Sequence, residues 1–283
     1  MPEIKSTGEG ANPDRNRIIA RLLDLPSLPA LLMEALQHTN DRQNLSQLAD
    51  KISRDPAMVG RILRIANSPF YGMSREIGSL REAVVLLGVN RVRDMLLSAC
   101  FLNMLPIRGN GFDYPLFWRH SLSVAHCARQ LGSHTGIGED LAFTAGLLHD
   151  IGRLAAAYLF PDDYCLISQQ TLLVSLESER RIFGFDHVEI GGKVARQWNL
   201  PQHIQEAIEQ HETQPERNAA ISIGVLIYAS NLLVKGAAPG AEDDSAYQNA
   251  VDYVLEFLGI NFEQAAIWTD AGRQFAEQIL VTV

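Results

Sequence analysis

The side chains best equipped for chemistry meet in one short run, Gly146-Leu147-Leu148-His149-Asp150-Ile151-Gly152. It places an imidazole beside a carboxylate, two metal-capable groups, inside a strongly apolar helical pattern. Alone, a His-Asp pair says little, because adjacent residues on a helix point in different directions. Three more histidines change its weight. His120 continues the face of Val124, Cys127 and Leu131; His187 follows a capping Asp186 and lies in phase with Ile190 and Val194; His211 extends the face of Ile204, Ala207 and Ile208. Each is carried toward the core by a separate helix. One such histidine is ordinarily a hydrogen-bonded core residue. Four imidazoles and a carboxylate converging from separate helices make a metal cage or its remnant.

The elements that must position these groups read as helix nearly throughout, and the expected fold class is all-α and multi-helical. Pro26 and Pro29 open a segment through Leu31, Leu32, Ala35 and Leu36. Asn44 with Gln47, Ser79 with Glu82, and Asn261 with Gln264 have capping-box spacing. Asp55-Pro56 is a helix start: a carboxylate for free N–H groups, then a residue with no N–H to leave unpaired. Gly88 supplies a stop, and Asn90 is the expected cap of the next helix. Helices are expected from Phe117, Glu139, Asp162, Asp186, Pro201 and Ala219, with a surface loop over 235–245. Residues 1–16 read as a frayed leader, 17–107 as an N-terminal helical bundle and 111–283 as a second helical domain packed on it, with the boundary in the Pro/Gly-rich stretch 106–114.

Composition narrows the classes. The 283 residues are 47% hydrophobic and 20% charged, enough for a real core, and no run of about 18 apolar residues suggests a membrane span. Cys100, Cys127 and Cys165 are odd in number and widely spaced, as expected of buried thiols in a reducing, cytoplasmic compartment. Charge is uneven: residues 1–110 hold 14 Lys/Arg against 11 Asp/Glu, and residues 111–283 hold 10 against 22. The acidic part repels a polyanion, and the arginines at 61, 64, 75, 81, 91 and 93 are too few for a nucleic-acid footprint. The segment 45–65, with Arg61 and Arg64, has helix-turn-helix character that ordinary helix pairs share. Phosphate-loop glycines, a Ser/His/Asp triad and a nucleotide fingerprint are absent from the sequence. His38, His126, His134 and His203 match no motif, Trp118 reads as packing, and Asp55, Asn67 and Ser68 read as caps and turn formers.

Phe117-Trp118-Arg119-His120-Ser121, GLLHDIG at 146–152, FDHVEIGG at 185–192 and Pro201 through His211-Glu212 resemble, in order, the motifs of the HD phosphohydrolase superfamily. LPSLP at 25–29, ISRDPAM at 52–58, ILRIANSPFYG at 62–72 and SLREAVVLLG at 79–88 resemble its HDOD branch of bacterial signalling proteins. The resemblance spans about residues 20–235. It implies that His120, His149 and Asp150 hold a divalent metal (Fe, Mn, Mg or Zn) together with a later aspartate. It implies further that Asp150 bridges to a second metal served by His187 and His211. The later aspartate falls near Ala229-Ser230-Asn231; helical phase with Ile223, Leu226 and Ile227 gives the position to Ser230, with Asn231, about 100° away, a weak substitute through its carbonyl. A neutral hydroxyl there weakens or abolishes metal binding. Arg153 stands where a basic residue can hold phosphate, and the run after His211-Glu212 lacks the GYP segment of the HD-GYP phosphodiesterases.

Two function classes lead, with a DNA-binding regulator acting through Arg61 and Arg64 as a third. One is a non-catalytic regulatory module contacting other signalling proteins, its cleft between the two helical domains the contact or ligand surface, with a degenerate metal site or a purely structural polar cluster. The other is a metal-dependent phosphohydrolase in which Asp150 and Arg153 serve catalysis. Nucleic acid and membrane are not expected partners, and the sequence leaves the oligomeric state open.

Overall fold

A computed structural model describes residues 20–37, 50–105, 111–168, 175–236 and 245–282. Among them every regular element is a helix. The expected leader, the Asn44–Gln47 capping box and most of the 235–245 loop lie outside the described residues.

The N-terminal part contains α1 (Ala30–Gln37), α2 (Pro56–Ala66), a 3-10 turn (Pro69–Tyr71), α3 (Leu80–Leu87) and α4 (Val89–Phe101). Asp55 starts α2 as expected, its Oδ1 accepting from the N–H groups of Ala57 (3.0 Å) and Met58 (3.1 Å). Asn67, read as a turn former, also works as a strut: its amide donates to Ile77 O (3.0 Å) and accepts from Ile77 N (2.7 Å). Ser79 caps α3 through Glu82 N (3.2 Å). The expected cap at Asn90 is not found. Gly88, at φ 87°, ends α3 and serves as the N-cap of α4, so Asn90 lies inside α4. Glycine's access to positive φ reverses the chain in one residue and leaves no space for a separate cap.

The second part begins with α5 (Tyr114–Thr135), three residues earlier than expected because Asp113 caps it through Leu116 N (2.9 Å). Next come α6 (Glu139–Leu148), α7 (Ile151–Leu159), α8 (Pro161–Ser168), α9 (Leu176–Phe183), α10 (His187–Gln197) and α11 (Gln202–Gln210). The chain closes with α12 (Ile223–Gly236), α13 (Ser245–Leu258) and α14 (Phe262–Thr282). Helix α12 starts at Ile223 and not at Ala219. Asp186 caps α10 through Glu189 N (2.8 Å), and Asn261 caps α14 through Gln264 N (2.8 Å).

Helix α5 is the axis, with α6, α12 and α14 packed around it and α10 linking α7 to α11. Helix α4 lies on α6, while α14 also touches α2 and the 3-10 turn. Buried apolar residues therefore form one continuous cluster from Leu22 to Ile279. At this junction Arg129 of α5 pairs with Asp94 of α4 and, at 3.6 Å, with Asp140 of α6. Arg93 donates from Nε to Ala35 O of α1 (3.0 Å) and from its terminal nitrogen to Thr144 Oγ1 of α6 (2.5 Å).

Candidate metal centre

His149 and Asp150 do not sit inside a continuous helix: α6 stops at Leu148 and α7 starts at Ile151. In one unbroken helix their side chains would diverge by about 100°. The break lets both face one point. Gly152 makes this possible from the other side, because a Cβ there would stand 1.9 Å from His187 O. Helices α7 and α10 cross closely enough only with glycine at that position.

All four expected imidazoles reach Asp150. Its Oδ2 lies 3.4 Å from His149 Nε2 and 3.8 Å from His120 Nε2. Its Oδ1 lies 3.3 Å from His187 Nε2 and 3.4 Å from His211 Nε2. Two trios suited to a metal, His120/His149/Asp150 and Asp150/His187/His211, thus share one carboxylate. Ring orientation is imposed from behind. His149 Nδ1 is 2.7 Å from Gly146 O, and His211 Nδ1 is 2.7 Å from Ile208 O. His187 Nδ1 is 2.6 Å from Glu179 Oε2, which also accepts from the His187 backbone N–H (2.8 Å). Carbonyls and carboxylates only accept, so each Nδ1 carries the proton and each Nε2 presents a lone pair to the centre.

That arrangement fits a cation. His149 Nε2 is fully buried without a hydrogen-bond partner. His187 Nε2 and His211 Nε2 face each other at 3.1 Å, although the Nδ1 bonds leave both with lone pairs. Three neutral nitrogens and a carboxylate are the donor chemistry of a borderline divalent metal, and such an ion when bound would polarise water or an anionic oxygen.

Electrostatics agree. Burial works to raise the Asp150 carboxyl, but the adjacent His149 imidazole and the Arg153 guanidinium reverse this and hold it well below the usual carboxylate range. Burial holds His120 down to about 3, with His149 adding to the effect, and holds His187 well below its ordinary value, helped by Arg153. An uncharged His187 and an ionised Asp150 are protonation states that ligation requires.

The structure brings together His120, His149, Asp150, His187 and His211, and it departs from the sequence reading at α12. Ser230 is fully buried but donates to Leu226 O (2.8 Å) and lies beside the Cys127 thiol. Asn231 faces the centre instead, its Oδ1 3.1 Å from His120 Nε2. Helix α12 is buried on several sides, by Ile223, Leu226, Ile227, Ala229, Ser230 and Asn231 among others, so its apolar phase does not mark the side toward the centre. Two acids also join. Glu179 bonds His187 and pairs with Arg153 (3.0 Å), and burial raises its carboxyl to about 7. Glu212 accepts from Lys235 (2.7 Å) and Asn231 Nδ2 (3.3 Å). Burial opposes its ionisation, yet Lys235 brings it down to about 2. Glu179 had no sequence signal separating it from Glu177 on the same short helix; only the tertiary approach of α9 to the start of α10 does so.

Comparison with known proteins places this geometry. The HDOD domain model matches residues 25–214. A crystal structure of an HDOD domain protein of unknown function from Geobacter sulfurreducens superposes with TM-score 0.70 at 22% identity, covering 95% of this chain and 98% of that one. A Shewanella amazonensis SB2B protein, provisionally assigned as a phosphohydrolase, gives TM-score 0.71 at 24% identity over 93% of this chain and 97% of that one. In sequence, an uncharacterized Treponema pallidum (strain Nichols) protein is 28% identical over 87% of this chain. Ribonuclease Y of Thermus thermophilus is 31% identical over 55% of it. The chain spans about half the length of the first relative (48%) and about a quarter of the second (23%). With the family model covering most of the chain and its helical fold shared, this protein belongs to the HDOD domain family.

Proposed function

We propose that the chain is a regulatory module of cytoplasmic signalling that acts through contact with other proteins, and that its buried His-Asp centre takes up a divalent metal without efficient turnover. The observation that carries this reading is the fate of Arg153. The residue placed to steady a phosphate is 6% exposed and tied to Asp150 Oδ1 (3.2 Å) and Glu179 Oε1 (3.0 Å). A guanidinium held between two buried carboxylates serves the interior, because releasing it would strand both charges. Asn231, a neutral donor where the resemblance calls for an aspartate, supports the same conclusion. No described helix is long and apolar enough to cross a membrane.

A second reading, metal-dependent hydrolysis of a phosphodiester, draws on two observations: the paired trios sharing Asp150, and the likeness to ribonuclease Y. Here Asp150 and the imidazoles hold the ion and Arg153 keeps Asp150 ionised. Protein purified without chelator decides between them by elemental analysis alongside assays on bis-p-nitrophenyl phosphate and RNA. The regulatory reading expects bound metal with no cleavage above a His149→Ala/Asp150→Ala control. Brisk cleavage abolished in that control, with the variant still folded, would overturn it.

A further inference from the structure

The two trios look equivalent by residue type, but their hydrogen bonds differ. Asn231 is locked in one orientation: its Nδ2 donates to Glu212 Oε1 (3.3 Å), and that oxygen is fixed by Lys235 Nζ (2.7 Å). Only Oδ1 is left to face His120 Nε2, at 3.1 Å. A carbonyl oxygen cannot donate, so His120 must supply the proton, and its Nε2 carries N–H where the other three histidines present lone pairs. His120 is thereby the end of a chain running Lys235, Glu212, Asn231, His120. It cannot ligate through Nε2 without breaking that chain.

Carboxylate oxygens separate the trios in the same sense. The His120/His149 side offers an ion one anion, Asp150, and a neutral amide. On the other side Glu212 Oε1 lies 3.8 Å from His187 Nε2 and 3.9 Å from His211 Nε2, a second carboxylate oxygen within reach of that pair, its charge shared with Lys235 Nζ at 2.7 Å. Arg153 also touches Oδ1, but Glu179 offsets its charge at 3.0 Å. A divalent cation is drawn to the side with more anionic oxygen and with lone pairs already oriented.

We infer that the centre is a one-ion site, with the metal held by Asp150, His187 and His211 under the influence of Glu212, and with His120 kept out of coordination as a hydrogen-bond donor to Asn231. The inference rests on the metal-binding reading above and specifies which half of the centre is used.

Metal stoichiometry of the full chain tests it. Wild type and variants are equilibrated with Mn²⁺ or Co²⁺, separated by gel filtration and quantified by elemental analysis, with circular dichroism confirming the fold. Wild type is expected to retain about one ion per chain. His120→Ala should also retain one, with affinity changed by less than about threefold, whereas His187→Ala or the milder His211→Gln should weaken binding by at least about tenfold, the scale of losing ligand-level interactions. Asn231→Asp, restoring an anion beside His120, should raise the capacity to two. A nitrogen-15 NMR signal for a protonated His120 Nε2 should persist in the loaded protein. Two equally tight ions in wild type, or one ion lost in His120→Ala and kept in His211→Gln, would overturn the assignment while leaving the metal reading intact. No ion in any variant would overturn both.

Discussion

At the level of single residues, the centre is governed as much by what stands behind the imidazoles as by the imidazoles themselves. Glu179 fixes His187 by two hydrogen bonds, one to the ring and one to the backbone. Glu179→Gln, which keeps the shape and removes the charge, is expected to weaken metal affinity by about 10–100-fold with little change in far-ultraviolet circular dichroism; competition titration against a chromophoric chelator measures it. The clustered histidines were legible in the sequence because three continued apolar helical faces and His149 stood beside Asp150 in an apolar run. Glu179 and Asn231 were not, because one acts across a helix boundary and the other lies on a helix buried on several sides. His126, matching no motif, has its own consequence. It lies in an aromatic nest with Phe70 (5.5 Å) and Phe275 (5.3 Å), and burial, aided by Arg129, lowers its pKa from 6.5 to about 3. The unfolded chain therefore takes up this proton first as pH falls, so the stability from neutral His126 is complete above 6.5 and is lost between there and about 3. At pH 5 the loss is about 2 kcal/mol. His126→Phe should remove that part of the acid sensitivity, read as a smaller drop in urea stability between pH 7 and pH 5 than in wild type. Equal drops would refute the assignment.

At the level of elements, caps and stops were largely readable. Asp55, Ser79, Asp186 and Asn261 each cap a helix as expected, Ser79 and Asn261 through the residues their spacing predicted. Local patterning missed the interruption between α6 and α7, since Leu147-Leu148 and Ile151 continue an apolar run across it. The break is imposed by tertiary demand, namely that His149 and Asp150 face one centre while α7 presses Gly152 against α10. Gly152→Ala tests that crossing. Its methyl would collide with the backbone carbonyl of His187, which cannot swing aside as a side chain can. A destabilisation of about 1–3 kcal/mol or more is expected. Metal retention should fall with it, because His187 moves with α10. Gly60→Ala, inside α2 with no atom within 4 Å, is the matched control: metal retention should be unchanged and stability equal or higher by up to about 1 kcal/mol.

At the level of the whole molecule, two domains were expected from a Pro/Gly-rich stretch, and one continuous core runs between the two parts among the described residues. Composition indicated a core and periodicity a helical chain, yet neither could reveal that charged groups would be buried where its parts meet. Asp94 is 2% exposed and pairs with Arg129, at 1%. Removing one member strands the other, so Asp94→Ala should cost about 3–5 kcal/mol in urea unfolding, while the double change Asp94→Leu/Arg129→Met should recover much of that loss. Unfolding of the wild type should be a single transition by both circular dichroism and tryptophan fluorescence. Arg93 carries a different implication. One guanidinium grips the carbonyl of Ala35 and the hydroxyl of Thr144, and Thr144 belongs to the helix whose last turn delivers His149. A protein that seizes α1 and shifts it thus tugs directly on the rod that aims a metal-facing imidazole. By thermodynamic reciprocity, any preference of such a visitor for the ion-loaded chain is matched by tighter retention of the ion while the visitor stays.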